Sequence, residues 1–177
     1  MPKTYTAAGS ATAGDVYTAS AHNGIVTDVN NLIVPPVCEV VRTTNLTSYT
    51  AATDISFSSA SIDTDGMFAA GSPTRITIQT TGLYVVTYVA AVSATATMTD
   101  VSPIIRKNTS NLAFFMQKAY SSTNGYTAGS VVASLTASDY LTLRIDIVGG
   151  SNYTVRGDSS NTDVQTRLSA TWIGRTS

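Results

Sequence analysis

Ten consecutive residues near the middle of the chain, Leu83 to Val92, read Leu-Tyr-Val-Val-Thr-Tyr-Val-Ala-Ala-Val, with Thr87 the one polar side chain among them. Side chains of a strand point alternately to its two faces, so a strand with one wet face alternates apolar and polar residues. This run does not alternate. It predicts a strand covered on both sides, one face lining the interior of a sandwich and the other meeting a second surface. It is also the longest apolar run in the chain, and it is too short to span a bilayer as a helix. No membrane partner is expected.

From Pro35 onward the rest reads as shorter strands. Cys38 to Thr43, Ile55 to Phe57, Arg75 to Gln79, an element beginning at Ile104-Ile105, Leu112 to Gln117 and Ser130 to Leu135 are expected strands. Leu141, Leu143, Ile145 and Ile147 alternate with Thr142, Arg144 and Asp146, the pattern of a half-buried strand. Val164, Leu168, Ala170 and Trp172 put the apolar residues of a last long strand on one face. Turn formers separate the runs at Asp65-Gly66, Gly71-Ser72-Pro73, Thr81-Gly82, Asn124-Gly125, Gly149-Gly150 and Arg156-Gly157-Asp158. Many short strands and turns without a helical period between them predict an all-β antiparallel sandwich. Thr is the commonest residue, followed by Ser and Ala, which favours strands and polar turns over long helices.

Residues 1–34 follow other rules. Met1 to Ala13 is small and polar, with no period able to bury a face, and predicts an extended arm. Between Thr18 and Ile33, His22, Ile25, Val29 and Leu32 recur at helical spacing, and Val26 and Ile33 widen the seam. A helix this short needs a partner surface, whether its own domain, copies of itself or a docking site. Pro35-Pro36 stops it. The expected division is an anchoring arm with a short helix over 1–34, anchored through Ile25, Val29 and Leu32, and one head domain over 35–177.

Charged residues make up 12% of the chain, and the net charge is −1. The basic residues are scattered, with Arg106-Lys107 the one adjacent pair, so nucleic acid is excluded as the main partner. The N-terminus carries no charged-then-apolar signal pattern, and the single Cys38 forms no intrachain disulfide, so synthesis in a reducing cytoplasm is expected. The one histidine, His22, falls in the N-terminal helix, away from the strands, and Cys38 reads as a small packing residue. Two sets of carboxylates are candidate oxygen ligands for a hard cation such as calcium: Asp63 with Asp65, and Asp158 with Asp163. Neither completes a calcium loop, and turn formation is the competing role. No other cofactor is expected. With Glu39 the single glutamate, a paired-carboxylate hydrolase is not expected, and the chain reads as a non-enzyme. Arg156-Gly157-Asp158 spells an integrin-recognition tripeptide, but matches this short arise by chance, and a turn is the better reading.

Four pieces in order give a resemblance. They are Asp65-Gly66-Met67-Phe68, then Thr81-Gly82-Leu83-Tyr84-Val85-Val86-Thr87-Tyr88, then Ile105-Arg106-Lys107-Asn108, and last Val131 to Leu135 with Ala137-Ser138-Asp139-Tyr140. From Cys38 to Arg175 the chain resembles the globular head of complement component one q and, with it, the tumour necrosis factor superfamily. Ser138 stands where that family usually has Gly, and the last strand ends in Trp172-Ile173-Gly174 rather than the family's aromatic-Gly-apolar pattern. The resemblance implies a ten-strand jelly roll that forms a tight homotrimer. Tyr84, Val86, Tyr88, Phe114, Phe115 and Trp172 are then the expected residues of the trimer interface or core.

Ala13-Gly14-Asp15-Val16-Tyr17-Thr18-Ala19-Ser20, with Asn23 and Val29-Asn30, looks like the leader of small tailed-phage structural proteins. Virion proteins reach the outside by lysis, so they need no secretion signal. The expectation is a non-enzymatic phage structural protein, made in the host cytoplasm and carried on the virion surface. It would be a homotrimeric head decoration or short head fibre, held to the capsid or another virion protein through residues 1–34. The alternative is a receptor-binding fibre tip that holds host surface glycan with the loop aromatics Tyr120, Tyr126 or Tyr153.

Overall fold

The doubly apolar run is the first half of one 26-residue strand, β5 (Gly82–Lys107). The computed structural model describes residues 18, 19, 22, 23, 25, 26, 29, 33–157 and 165–176, with the backbone alone at 117–122. The other strands are β1 (Val37–Val41), β2 (Leu46–Tyr49), β3 (Ser59–Asp63), β4 (Ile76–Thr77), β6 (Ser110–Phe114), β7 (Gln117–Leu135), β8 (Tyr140–Gly149), β9 (Tyr153–Val155) and β10 (Arg167–Gly174). Every pairing among them is antiparallel. Near its start β5 lies between β10 and the end of β7, and β1 and β3 continue that layer beyond β10. From Met98 onward β5 pairs with β8 on one edge, and with β6 and the start of β7 on the other. β4 closes the far side of β8. One continuous sheet therefore curls into two layers, because β5 and β7 belong to both. This is the jelly-roll sandwich that the sequence predicts.

The chain does not break between the layers because Ala94-Thr95-Ala96-Thr97-Met98-Thr99 holds no Gly or Pro to stop a strand. Register shifts between Ser93 and Asp100 bend it instead, as bulges do. Asn124-Gly125, expected as a turn, lies inside β7, opposite Ser93 and Val92. A Cβ on Gly125 would sit 3.0 Å from Val101 Cγ2 and 3.1 Å from Val92 Cγ2. The glycine lets two strands approach closely at the corner. The strand expected at Ile55 to Phe57 is also absent. Asp54 makes an isolated bridge to Arg144, and the Ile55 amide donates to the Leu143 carbonyl at 2.8 Å. Ile55 and Phe57 instead cover one side of the core.

The layers enclose a single apolar core. Tyr84, Val86 and Tyr88 of β5 and Leu168, Ala170 and Trp172 of β10 face Ile105 of β5 and Leu141, Leu143 and Ile145 of β8. Gly82 explains why the expected turn at Thr81-Gly82 becomes the start of β5. A Cβ there would lie 2.0 Å from Trp172 Nε1 and 2.6 Å from the Gly174 carbonyl, so the indole occupies the space a side chain would need. Two residues on, the Tyr84 hydroxyl donates to the Thr80 carbonyl at 2.6 Å.

Two sequence pieces far apart in the chain meet at one end of the sandwich. Asp139 accepts from Asn108 Nδ2 at 2.8 Å, the Thr136 amide at 2.8 Å and Lys107 Nζ at 2.8 Å. Asn108 Oδ1 in turn accepts from the Tyr140 amide at 2.9 Å. Burial pushes the Asp139 carboxyl up, but the Lys107, Thr136 and Asn108 donors outweigh it and hold it below the usual carboxylate range. Ser138, beside it, has φ +78°, the left-handed region where a Cβ is strained.

Thr18 accepts a backbone hydrogen bond from His22 at 3.0 Å, and the described helical positions are 19, 22, 23, 25, 26, 29 and 33. All of these are exposed, including Ile25, Val26 and Val29, and Leu32 lies outside the described residues. The linker after them is held to the head: the Pro35 carbonyl accepts from Thr64 Oγ1, and the Pro36 carbonyl from the Trp172 amide.

Replacing Ser138 with Gly should remove the left-handed penalty at the cost of a more flexible unfolded chain, a net gain of about 0.5–1 kcal/mol. The thermal midpoint should rise by about 2 °C. Replacing Asp139 with Asn should cost about 1 kcal/mol at pH 7 in denaturant titrations, since its partly exposed donors lose an ionised acceptor. A depressed folded pKa stabilises above the unfolded value of about 4 and loses that stability as pH falls through the folded value. The gap between wild type and Asp139→Asn should therefore narrow as pH falls below about 4.

Candidate functional site

Because β5 alternates, the residues between its core positions form the outer face of its layer. Leu83, Val85, Thr87 and Val89 point away from the sandwich, with Val85 half-buried and Val89 39% exposed. Register places Thr171 and Val132 on either side of Val85, and Ser169 and Ser130 on either side of Thr87. Val132 is 57% exposed. Ile62 on β3 and Ile173 on β10 extend the same exposed apolar surface to its edges. Charge is nearly absent from it. Glu39 and Arg167 lie 3.8 Å apart and offset each other, and Thr87 and Ser169 hydrogen-bond across the strands. The face is nearly neutral among the described residues and rich in β-branched side chains, an exposed apolar patch of the kind that marks contact surfaces.

The expected interface or core residues separate in the structure. Tyr84, Val86, Tyr88 and Trp172 are all core. Phe115 is half-buried against the core, its ring centroid 4.9 Å from that of Tyr88. Phe114 is neither core nor part of the outer face described above. It is 51% exposed on the other layer, opposite Ile104. Leu83, Val85, Val89 and Val132 are the outer-face residues that residue-by-residue reading passed over. Strand alternation carries the signal for them, for once Tyr84, Val86 and Tyr88 point inward their neighbours point outward.

The remaining candidates fall in different places. Asp63 Oδ1 accepts from the Met67 amide at 2.9 Å and Oδ2 from the Phe68 amide at 3.0 Å, so its oxygens organise a turn. Asp65 is buried and accepts from Thr80 Oγ1 at 2.8 Å. Asp158 and Asp163 lie outside the described residues. Among the described residues no group of three or more His, Cys, Asp and Glu is placed to hold a metal ion. His22 is exposed, and Cys38 is buried in the core. Gly157 is buried, where a Cβ would be 2.4 Å from the Arg42 carbonyl, and Arg156 Nη1 donates to Tyr126 Oη at 2.6 Å. Tyr153 is half-buried with its hydroxyl on the Gly149 carbonyl, Tyr126 is exposed, and the Tyr120 side chain lies outside the described residues.

Solved structures of this shape exist. The globular domain of zebrafish complement 1qA superposes with a TM-score of 0.57 at 13% identity, covering 80% of this chain and 99% of that one. Murine APRIL at pH 8.5 superposes with a TM-score of 0.57 at 11% identity, covering 78% of this chain and 98% of that one. At such identities the likeness shows the fold, a jelly roll of the tumour necrosis factor and complement-head type. No protein-family model matches the sequence, and no curated protein sequence matches it.

Burial, with the nearby Asp63 and Glu39 charges, pushes the Cys38 thiol up to about 12. It should therefore stay protonated and unmodified by a thiol-reactive dye at pH 8 for as long as the head is folded. Full reaction is expected only in denaturant, and rapid labelling of native protein would place Cys38 at the surface.

Proposed function

We propose that this chain is a non-enzymatic subunit that assembles as a homotrimer through the outer face of the β3-β1-β10-β5-β7 layer and is carried on a phage particle by residues 1–34. One observation carries the assembly half: the doubly apolar strand has its inner face in the core and its outer face only partly covered in the single chain, with Val85 half-buried and Val89, like Val132 on the adjacent β7, exposed. Burying each such side chain contributes about 1.5–3 kcal/mol, and a rotational axis repeats that gain at every contact. The homotrimer implied by the family resemblance supports closure around three copies. The particle half is supported by the leader-like residues 13–30 and by the exposed helical positions Ile25, Val26 and Val29. Three arms on one rigid head would bind a symmetric site by avidity, each raising the effective concentration of the next.

In this reading full-length protein sediments at three times the 18.5 kDa chain mass. Val85→Asp, which puts a charge at the centre of the outer face, should give folded monomers with unchanged far-ultraviolet circular dichroism. Deleting residues 1–34 should leave the trimer intact and abolish attachment to the particle. Wild-type protein that stays monomeric at micromolar concentration would overturn the proposal.

A further inference from the structure

The described helical positions before the head carry an apolar seam that the single chain leaves uncovered. Ile25, Val26, Val29 and Ile33 follow one another at spacings of one, three and four, which puts all four on one side of a helix. They are 39%, 42%, 45% and 70% exposed, so their own head does not cover them. Intrinsic preference does not hold the helix either. The sequence from Thr18 to Ile33 includes Gly24, and Ile25, Val26, Thr27, Val29 and Ile33 are all β-branched. A helix of this length and composition is marginal in water and needs a partner along its seam.

The head fixes where that seam ends. The Pro35 carbonyl accepts from Thr64 Oγ1 at 2.8 Å, and Thr64 Oγ1 accepts from the Val37 amide at 2.8 Å. The Pro36 carbonyl accepts from the Trp172 amide at 2.9 Å. Thr64 follows β3 and Trp172 lies in β10, both strands of the layer whose outer face is apolar. Two prolines with fixed φ make this base stiff. Beside it Val34, Ile62 and Ile173 are each about half exposed, so uncovered apolar side chains continue from the outer face of the layer into the helical seam.

We propose that the Thr18–Ile33 segments of three copies pack along this seam into a parallel three-helix bundle at one end of the trimeric head. The bundle rests on the homotrimer read above: copies that meet through the outer face of that layer bring three equivalent helix bases to the same end. The helices are parallel because each leaves its head through the same anchored prolines. Three is also the number the seam fits. Ile25 and Val26 lie about 100° apart around the helix, too far for both to face one partner, whereas a bundle of three gives each helix two neighbours. Asp28 is the one Asp, Glu, Lys or Arg between Thr18 and Ile33, so the copies approach with little repulsion. Tethering to the head sets an effective concentration on the order of millimolar, at which helices too short to associate as free peptides hold together. Residues 1–17 then leave the bundle side by side, which gathers the three arms at one place.

The test is cysteine cross-linking of full-length protein under mild oxidation, with the sedimenting mass measured on the same samples. Val29→Cys puts a thiol in the seam, and Asn23→Cys puts one about 120° around the helix from it. Cys38 is buried in the head and does not compete. Val29→Cys should give a linked pair on a non-reducing gel that takes up about two of every three chains, since a disulfide joins two and leaves the third. The sedimenting mass should not change, which places the link inside one trimer. Asn23→Cys should stay single-chain. A trimer in which Val29→Cys does not link, or links no more than Asn23→Cys, would overturn the bundle and leave the homotrimer standing, with the seam covered by the particle or by the head. A monomeric protein would overturn the homotrimer and the bundle with it.

Discussion

A strand that is apolar on both faces leaves its fold two surfaces to cover, and β5 organises the molecule around that requirement. Its inward residues, Tyr84, Val86 and Tyr88, are fully or almost fully buried against β8 and β10. Because the same strand continues into the second layer, with Ile105 in the core again, the two sheets share a backbone and cannot slide independently. Gly82 sets where the strand begins: only a residue without a side chain fits beneath the Trp172 indole, which fixes β5 and β10 in register. The outer side of the strand is what this arrangement leaves unfinished.

The class of fold and the doubly apolar strand were legible in the sequence because both rest on local pattern. Alternation from Leu141 to Ile147 and the run at Leu83 name their faces without tertiary information. What was illegible was continuity. The strand expected over Leu83 to Val92 runs on to Lys107, and the turn expected at Asn124-Gly125 lies inside β7, since tertiary pairing overrode the local turn preference of Asn-Gly. The short strands β2, β3 and β9 were missed for a related reason. Ser59 to Asp63 has no apolar period of its own and is extended only because β1 supplies its hydrogen bonds. At the candidate site the principle was legible and the residues were not. Alternation puts Val85 and Val89 outside as soon as Tyr84 and Tyr88 are inside, whereas large aromatics attract the eye first.

The pieces that carried the family resemblance have physical reasons to recur together. Lys107-Asn108 and Ser138-Asp139 are thirty-odd residues apart in sequence but form one hydrogen-bonded cluster that ties the β5–β6 turn to the β7–β8 turn. Asp63, next to the Asp65-Gly66 piece, caps its turn with two backbone amides. The Lys107-Asn108 and Ser138-Asp139 pieces tie loops at the rim of the sandwich, whereas the Thr81 to Tyr88 piece opens a core strand. Such ties are demanded by the architecture, so identities of 11–13% coexist with superposable folds. The same reasoning separates fold from role: motifs that hold loops together say nothing of what the outer surfaces meet.

The two outer faces differ in a way that core packing does not require. Both layers need only alternate inward apolar residues, and their outward residues are free to vary. On the β5–β10 layer those residues are Val, Thr, Ser and Ile with one self-neutralised ion pair, while on the β8 layer they include Arg106, Arg144 and Asp54 beside a buried, unpartnered Thr142 hydroxyl. Asp54 Oδ1 there lies within 3.5 Å of Arg106 and 3.3 Å of Arg144. A neutral apolar face loses little on desolvation and suits a permanent contact. A face that carries ion pairs is costlier to bury. The division of chemistry between the layers is therefore set by something other than the core they share.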